Sequence, residues 1–192
     1  MIMKKVSILV STIDSGGAEK QAVLLATLLS KHTDVNLIIL YGDHTEYKRN
    51  VDMLVKSSVK IHRLNGNILS KAVRIRNILK ESHTDILLNY LTMPDFLGSF
   101  LGKRLRIRVY NGIRNSRLPK SKMLIEKWAH NHWVTATIYN CYSGADYFGK
   151  LGFRKDKNIV IPNCFPDIAE PIIRDNHYSW SLRSSKRLRN SY

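Results

Sequence analysis

The sequence predicts an α/β protein with a parallel sheet flanked by helices. Apolar, β-branched runs alternate with amphipathic helical runs over most of the 192 residues. Strands that alternate with helices in this way form parallel sheets covered by helices. The hydrophobic fraction of 44% is that of an ordinary folded protein, and the length suffices for one sizeable core, since a domain takes about 100–200 residues.

Each element is assigned from its hydrophobic period and its breakers. The predicted strands are "VSILVST", "VNLIILYG", "VKIHRL", "DILLNYL", "RIRVYNG", "TATIYNCYS" and "KNIVIPN". The predicted helices are "AEKQAVLLATLLSK", a short one near Tyr47–Lys56, "ILSKAVRIRNILKES", "MPDFLGSFLGK", "PKSKMLIEKWAHNHW" and "GADYFGKLG". In the third of these helices, the pattern puts Ala72, Ile75 and Leu79 on one face and Lys71, Arg74 and Arg76 off it.

A ligand site is expected at one edge of the sheet, because parallel sheets bind ligands beyond the carboxyl ends of their strands. This rule selects the loops at Thr12–Gly17, Tyr41–Asp43, Asn89–Asp95 and Asn111–Ser116, and those at Ser143 and Asn163. Asp43 and Asp95 are predicted on such loops, where either would assist a substrate hydroxyl or, more ordinarily, cap a turn or helix. No catalytic base is predicted.

Two adjacent glycines, Gly16 and Gly17, follow the first strand and open a helix with Glu19 in its first turn. Glycine permits backbone angles closed to other residues, and exposed amides at a helix N-terminus suit a phosphate. The alternative is a tight strand–helix turn without a ligand. Neither G-x-G-x-x-G nor G-x-x-x-x-G-K-[ST] is present, which argues against a dehydrogenase and a P-loop NTPase.

The chain is strongly basic, with 31 Lys and Arg against 15 acids and a formal charge of +16. Such a balance predicts attraction to the phosphates of nucleotides, nucleic acid or lipid headgroups. Half of the charge falls between Lys103 and Lys127, where nine basic residues accompany one acid, Glu126. Arg114 is the best single candidate for anion binding because its planar guanidinium matches phosphate or carboxylate. The alternative is a solvated basic face that only aids solubility.

The helix "MLIEKWAHNHW" brings Leu124, Ile125 and Trp128 together. We expect this stripe to pack on the sheet, with docking on lipid headgroups as the alternative. His130 and His132 are two residues apart on this helix and point to different faces, so no zinc site is predicted.

The two cysteines, Cys141 and Cys164, are too few for a disulfide framework and favour a reducing cytosol. The N-terminal apolar run stops at Asp14 without a cleavage site and is assigned to the first strand rather than to a signal peptide. No apolar run approaches the ~20 residues of a membrane span.

Several of these segments resemble family 4 glycosyltransferases, in order and with matching spacing. "SGGAEKQAVLLATLL" resembles the turn after that family's first strand, and "NGIRNS" resembles a loop of some bacterial polysaccharide-assembly members. "TATIYNCYSGADYFGKLG" resembles the last strand of the N-terminal domain with its serine and short helix, and "KNIVIPNCFPD" the strand that leads into the hinge. The likeness covers residues 3–167.

The resemblance implies half of a GT-B fold, in which two Rossmann-like domains face each other across a cleft. The N-terminal domain of that family binds the acceptor, and the C-terminal domain binds a nucleotide-sugar, the donor substrate, without further cofactor or essential metal. It also implies that Gly16 and Gly17 approach the donor phosphates. The resemblance assigns a substrate-binding role to Gly16 and Gly17 only. With Arg114, selected above for its guanidinium, and its neighbour Asn115, the expected substrate-binding residues are Gly16, Gly17, Arg114 and Asn115. The expected acceptor is an anionic lipid-linked or saccharide molecule of bacterial polysaccharide biosynthesis, reached from the cytoplasm at the inner membrane face.

The chain departs from the family in its last part. We assign residues 1–167 to the Rossmann-like N-terminal domain and 168–192 to a basic, irregular tail. The family's donor domain carries two glutamates eight positions apart, and no two of the five glutamates here have that spacing. Cys164 also stands where the family has glycine. We therefore expect a truncated enzyme, weakly active or inactive unless a separate chain supplies the other half. The alternative function is a basic nucleic-acid-binding or non-catalytic anionic-ligand-binding module, although no helix-turn-helix or zinc-finger motif is present.

Overall fold

The computed structural model describes residues 4–113 and 119–163, which form a single seven-stranded parallel sheet with helices on both faces. The strands are β1 Val6–Val10, β2 Val35–Ile39, β3 Lys60–Arg63, β4 Ile86–Tyr90, β5 Arg108–Ile113, β6 Ala136–Tyr139 and β7 Asn158–Val160. The helices are α1 Gly17–Leu29, α2 Lys48–Val55, α3 Ile68–Glu81, α4 Thr92–Arg104, α5 Lys120–His132 and α6 Tyr142–Lys150. The predicted fold class is confirmed. The predicted tail, 168–192, lies outside the described residues.

The strand order is β3-β2-β1-β4-β5-β6-β7, so the chain builds outward from β1, returns to the centre and builds outward the other way. The reversal places a switch point between β1 and β4, where doubly wound sheets open a crevice for a ligand. All five residues of β1 and of β2 are buried, as expected for strands covered on both faces.

The two faces of the sheet carry different helices. One core cluster joins α1 and α2 to residues such as Ile8, Val10 and Leu37. On the opposite face, α3 and α4 pack on Leu9, Ile38 and neighbouring residues, and α5 packs beside α4. Of the helices on this second face, α4 follows β4 directly and so begins at the switch point.

Helix α3 follows its predicted face in part. Ile75 and Leu79 are buried as expected, but Lys71 is also buried, with only 5% of its surface exposed. Lys71 precedes Ile75 by four residues and so shares its face. Its ammonium lies over the Tyr41 ring, 4.3 Å from the centroid, while its methylenes pack along apolar surface. The assignment of Lys71 to the outer face was wrong.

Candidate functional site

The carboxyl ends of the central strands meet at one edge of the sheet, here called the carboxyl edge. The parallel registers pair Val10 of β1 with Tyr90 of β4, and Ile113 of β5 with Tyr139 of β6. The turn that leads to α1 and the chain that follows Ile113 therefore leave from the same edge, separated by β4. Arg114 and Asn115 themselves lie outside the described residues.

Gly16 and Gly17 do not need a backbone conformation reserved for glycine. Gly16 is the N-cap of α1 with φ −63° and ψ 156°, which any residue adopts, so this part of the expectation was wrong. A Cβ at Gly16 would instead collide with the carboxylate of Glu19. A Cβ at Gly17 would meet nothing within 4 Å. Gly16 is therefore packed against the Glu19 side chain, whereas the space beside Gly17 at the N-terminus of α1 is open.

Helix α2 holds the turn that precedes these glycines. The buried Asn50 side-chain amide donates to the carbonyl of Ile13 at 3.0 Å and to that of Asp14 at 2.8 Å. The backbone N–H of Tyr47 donates to the same Ile13 carbonyl at 3.1 Å. Sequence analysis missed Asn50. The available signal was a polar residue one turn before the buried Leu54 on a short amphipathic helix.

A strained residue lies where β4 passes into α4. Leu91 has φ 78° and ψ 153°, a region adopted almost only by glycine and costing roughly 1–3 kcal/mol. It stands at the switch point, directly before the first turn of α4. Strain of this kind collects at binding and catalytic sites, so Leu91 adds weight to the carboxyl edge as the site.

The predicted loop at Asn111–Ser116 begins later than expected, because β5 continues through Ile113. Asn111 is 1% exposed and its side-chain carbonyl accepts hydrogen bonds from the Asn89 amide at 2.9 Å and the Ser99 hydroxyl at 3.1 Å. A Cβ at Gly112 would lie 3.2 Å from the Tyr90 ring. The first half of "NGIRNS" is therefore structural.

Asp95 was expected on a loop, but it lies in the first turn of α4, where it is 2% exposed. Its carboxyl group lies beside that of Glu126 of α5, which is 3% exposed and also lies near the Thr92 side chain. Burial, followed by the charge of Glu126, raises the pKa of Asp95 well above its usual value. Burial raises the pKa of Glu126 to about 7, although hydrogen bonding with Thr92 and with Asp95 acts to lower it. Asp95 is thus enclosed, whereas Asp43 is exposed after β2.

The apolar stripe of α5 is exposed, so the expectation that it packs on the sheet was wrong. Leu124 is 68% exposed, Ile125 44% and Trp128 50%, and these three residues are called the α5 stripe below. The inner face of the helix instead carries Glu126 and His130. The α5 stripe is therefore available to a partner surface.

Aromatic side chains continue this surface toward α4. Trp128 meets Trp133 edge-on, with ring centroids 4.2 Å apart. Trp133 also contacts Phe96 and Phe100 of α4, at 5.5 and 5.4 Å between centroids. These contacts hold Trp128 in place while half of its surface remains exposed.

The basic stretch between Lys103 and Lys127 does not form one patch. Lys103, Arg104 and Arg106 lie at the end of α4 near the amino edge of the sheet, opposite the glycines. Lys122 and Lys127 lie on α5, and Arg114 and Arg117 fall outside the described residues. Lys122 lies in the first turn of α5, which begins at the carboxyl edge, so the stretch extends from one edge of the sheet to the other.

A groove of about 590 Å³ at the amino edge is lined by Lys103, Arg106, Trp133 and Lys157 among others. The Lys157 ammonium donates to three backbone carbonyls at the end of α5, at 3.0–3.1 Å. Cations at helix C-termini complement the helix dipole. The charge of Lys157 is thus accounted for by the fold rather than by a ligand.

His130 is an interior residue. One ring nitrogen contacts the Thr137 hydroxyl at 2.7 Å, and the other the Arg154 carbonyl at 3.0 Å. Within residues 4–113 and 119–163, no three His, Cys, Asp or Glu side chains are grouped closely enough to hold a metal ion. Among the helices of these residues, none has both the length and the hydropathy that a membrane span requires.

The exposed Cys141 is the N-cap of α6, and Ser143, predicted on the carboxyl-edge loop, is the second residue of that helix. Hydrogen bonds from the Ser143 hydroxyl and the Gly144 backbone lower the pKa of the Cys141 thiol. Ser143 lies at the carboxyl edge as expected, but as a helical residue.

Solved structures with this architecture define the class of domain. The protein HepE of Anabaena in complex with UDP-glucose aligns with a TM-score of 0.70 at 15% identity, covering 84% of this chain and 44% of HepE. The lipopolysaccharide outer core galactosyltransferase WaaB, in its apo form, aligns with a TM-score of 0.65 at 12% identity, covering 90% and 50%. The described residues thus form one Rossmann-like half of a GT-B fold, as predicted.

One protein that is similar in sequence has a named activity. The chain is 33% identical over 94 residues to a glycosyltransferase of Campylobacter jejuni, GalNAc-alpha-(1->4)-GalNAc-alpha-(1->3)-diNAcBac-PP-undecaprenol alpha-1,4-N-acetyl-D-galactosaminyltransferase. The match covers 46% of this chain and 26% of the relative. The predicted resemblance to glycosyltransferases is confirmed, and no protein-family model matches the chain. The chain spans half or less of the length of these proteins.

Proposed function

We propose that this chain forms the acceptor-side wall of a glycosyltransferase that moves a sugar from a nucleotide-sugar to a polyprenyl-diphosphate-linked saccharide in bacterial polysaccharide biosynthesis. The observation that carries the proposal is the shared carboxyl edge, where the open helix N-terminus at Gly17 and the chain after Ile113 emerge on either side of β4. The acceptor class follows the undecaprenol-linked saccharide in the name of the Campylobacter relative. The donor class follows the UDP-glucose bound to HepE.

Sugar transfer requires both substrates in one geometry, and positioning alone supplies about 7–11 kcal/mol of barrier reduction. The described residues provide one wall of such a cleft. A second Rossmann-like domain, in the same protein or in a separate chain, would hold the nucleotide-sugar. The proposal assigns contacts with the donor diphosphate to Gly16 and Gly17, and contacts with the anionic acceptor to Arg114 and Asn115.

The acceptor contact can be tested with a short-chain, water-soluble polyprenyl-diphosphate disaccharide by isothermal titration. Arg114→Gln is expected to weaken binding about tenfold to a hundredfold, since a hydrogen bond to a charged group contributes ~1.5–3 kcal/mol. Arg76→Gln is the matched control, because it removes the same charge from the exposed face of α3. Failure of the wild-type chain to bind, or equal weakening by both substitutions, would contradict the proposal.

We also propose that the α5 stripe rests on the cytoplasmic face of an anionic membrane, where the lipid part of the acceptor resides. Leu124 and Ile125 present apolar surface, and Trp128 suits the headgroup region. Lys122 and Lys127 on the same helix, with the formal charge of +16, complement anionic headgroups.

Vesicle flotation tests this contact with phosphatidylcholine vesicles, with and without phosphatidylglycerol. The wild-type chain is expected to float with the anionic vesicles, and Leu124→Ser with Ile125→Ser is expected to reduce the bound fraction severalfold by removing buried apolar area. Leu69→Ser, at a 75% exposed leucine on α3, is the control. Flotation that is unchanged in the double variant would refute a membrane contact through α5.

A further inference from the structure

A pair of carboxyl groups lies between α4 and α5, enclosed by protein. Asp95 and Glu126 come from different helices, are 2% and 3% exposed, and lie close enough for each to shift the pKa of the other. An ionised carboxylate can only accept hydrogen bonds. A hydrogen bond between two carboxyl groups therefore requires that one of them carries a proton.

The surroundings of the pair are polar but not cationic in the part of the chain that the structure describes. From β6, burial and then the charge of Glu126 raise the pKa of the buried Tyr139 hydroxyl. From β5, the Asn111 amide donates to the Asp95 backbone carbonyl at 3.5 Å. His130, one turn beyond Glu126 on α5, has both ring nitrogens occupied elsewhere.

Other groups near the pair do not neutralise it. Lys127 follows Glu126 in sequence, but its ammonium lies against Gly152. The influences on the pKa values of Asp95 and Glu126 are burial, Thr92 and each other. The second oxygen of Asp95, Oδ1, and the Tyr139 hydroxyl lack a hydrogen-bond partner among the described residues. A buried carboxylate oxygen without a donor is costly when charged.

We propose that Asp95 and Glu126 are a positioning pair that retains at least one proton at neutral pH, and that this proton fastens α4 to α5 beneath the carboxyl edge. Two adjacent, buried carboxylates repel and lose their hydration, whereas the singly protonated pair gains a hydrogen bond. Removal of the last proton would drive the two helices apart. The pair titrates as a unit, so its protons belong to both groups.

The pair connects two surfaces that matter for function, a consequence that rests on the proposed function. Asp95 belongs to the first turn of α4, directly after the strained Leu91 at the carboxyl edge. Glu126 lies on the inner face of the helix whose outer face carries Leu124, Ile125 and Trp128. Loss of the proton would therefore disturb both the cleft edge and the α5 stripe as the pH rises.

The test is the pH dependence of unfolding, followed by denaturant titration from pH 6 to pH 9. The unfolded carboxyls have pKa values of ~3.9 and ~4.3 and are ionised throughout, so only the folded state retains the proton. A carboxyl whose pKa is raised by folding contributes stability at low pH that is lost as the pH rises. The unfolding constant of the wild-type chain should rise about tenfold per pH unit for each retained proton.

Asp95→Asn with Glu126→Gln keeps the side-chain shapes and the hydrogen bond but has no proton to lose. Relative to the wild-type chain, this double variant is expected to lack the tenfold rise per pH unit. Glu46→Gln removes a carboxylate that is paired with Arg63 near the opposite end of the sheet, and it should leave the rise in place. The same pH dependence in the wild-type chain and the double variant would overturn the proposal.

A second measurement needs no folded variant. Infrared spectroscopy of the wild-type chain at pH 7 detects the carbonyl band of a protonated carboxyl, which exposed acids do not show because they are ionised. The expected result is such a band in the folded chain and its loss on unfolding. A folded chain without it has no protonated carboxyl at neutral pH, and the proposed pair does not exist. Neither measurement depends on sugar transfer, so failure here is distinct from failure of the proposed function.

Discussion

Helices α3 and α5 look alike in sequence but present opposite kinds of surface to the interior. Both are amphipathic, both pack on the same side of the sheet, and both carry an apolar stripe next to basic residues. On α3 the apolar stripe, with Ile75 and Leu79, faces the core. On α5 the apolar stripe faces outward, and Glu126 and His130 are buried in its place.

The difference shows that contacts of polar side chains with α4 and β6, rather than the hydropathy of the helix, determine which face of α5 is buried. Glu126 meets Asp95 and Thr92 from α4, and His130 meets the Thr137 hydroxyl of β6. Buried polar groups are tolerated when each has a hydrogen-bond partner. Those partners come from distant parts of the chain, so the helical period of α5 taken alone favoured the wrong face.

The largest expected change in the free energy of unfolding comes from a substitution on the apolar inner face of α3. Ile75→Ala is expected to lower the free energy of unfolding by about 2–5 kcal/mol, since it opens a cavity at a fully buried site. Leu69→Ala, at a 75% exposed position on the same helix, should change it by less than ~0.5 kcal/mol. Equal effects in denaturant titration would show that α3 does not dock through this face.

A smaller loss is expected at the buried cation of α3. Lys71→Ala should cost about 1–2 kcal/mol, because it removes both the packed methylenes and the contact with the Tyr41 ring. Lys71→Met keeps most of the packing and should recover part of the loss. Arg74→Ala, at an exposed position, is the control. A Lys71→Ala variant as stable as wild type would place that side chain in solvent.

The polar inner face of α5 should give two pH effects of opposite sign. Burial lowers the pKa of His130 below 6.5, so the unfolded state takes up the proton first as the pH falls. Stability is then lost with falling pH, by at most ~1.4 kcal/mol per pH unit below about pH 6.5. His130→Gln should reduce this acid sensitivity in thermal unfolding, in contrast to the alkaline sensitivity expected of the Asp95–Glu126 pair. If His130→Gln and the wild-type chain lose stability equally as the pH falls, His130 is protonated in the folded state.

The smallest expected effect is on the outer face of α5. Leu124→Ser should change the free energy of unfolding by less than ~0.5 kcal/mol, because 68% of the side chain is already in solvent. Chemical denaturation of the two chains measures this. A loss above 1 kcal/mol would mean that the stripe packs against protein after all.

Much of the fold followed from local pattern. Every strand and α-helix of the described residues was anticipated, since strands such as "VSILVST" and helices such as "AEKQAVLLATLLSK" carry clear periods and breakers, but the short 3-10 helix Lys155–Lys157 was not. The meeting of the Gly16–Gly17 turn and the chain after Ile113 at one edge also followed, because parallel strands share their direction. The binding roles of Gly16, Gly17, Arg114 and Asn115 stay predictions.

Contacts between distant segments could not be anticipated in this way. Asn50 holds the turn at Ile13 from a helix 37 residues away in sequence, and its position on that helix does not reveal which residue it contacts. The basic residues are close together along the chain, but β5 carries Arg108 and Ile113 to opposite edges of the sheet. Asp95 was counted with the loop at Asn89–Asp95 although the predicted helix "MPDFLGSFLGK" contains it, and its burial beside Glu126 depends on α5.

By itself, the amino-acid sequence determined the parallel α/β architecture, the order of its elements and the edge of the sheet at which its loops meet, because these depend on hydrophobic period and on the direction of the chain. Only the tertiary structure decided that the apolar stripe of α5 faces outward and that Asp95 and Glu126 meet in the interior. The physical reason is that burial of a polar group depends on a partner in space, and α4 brings that partner from 31 residues away in sequence.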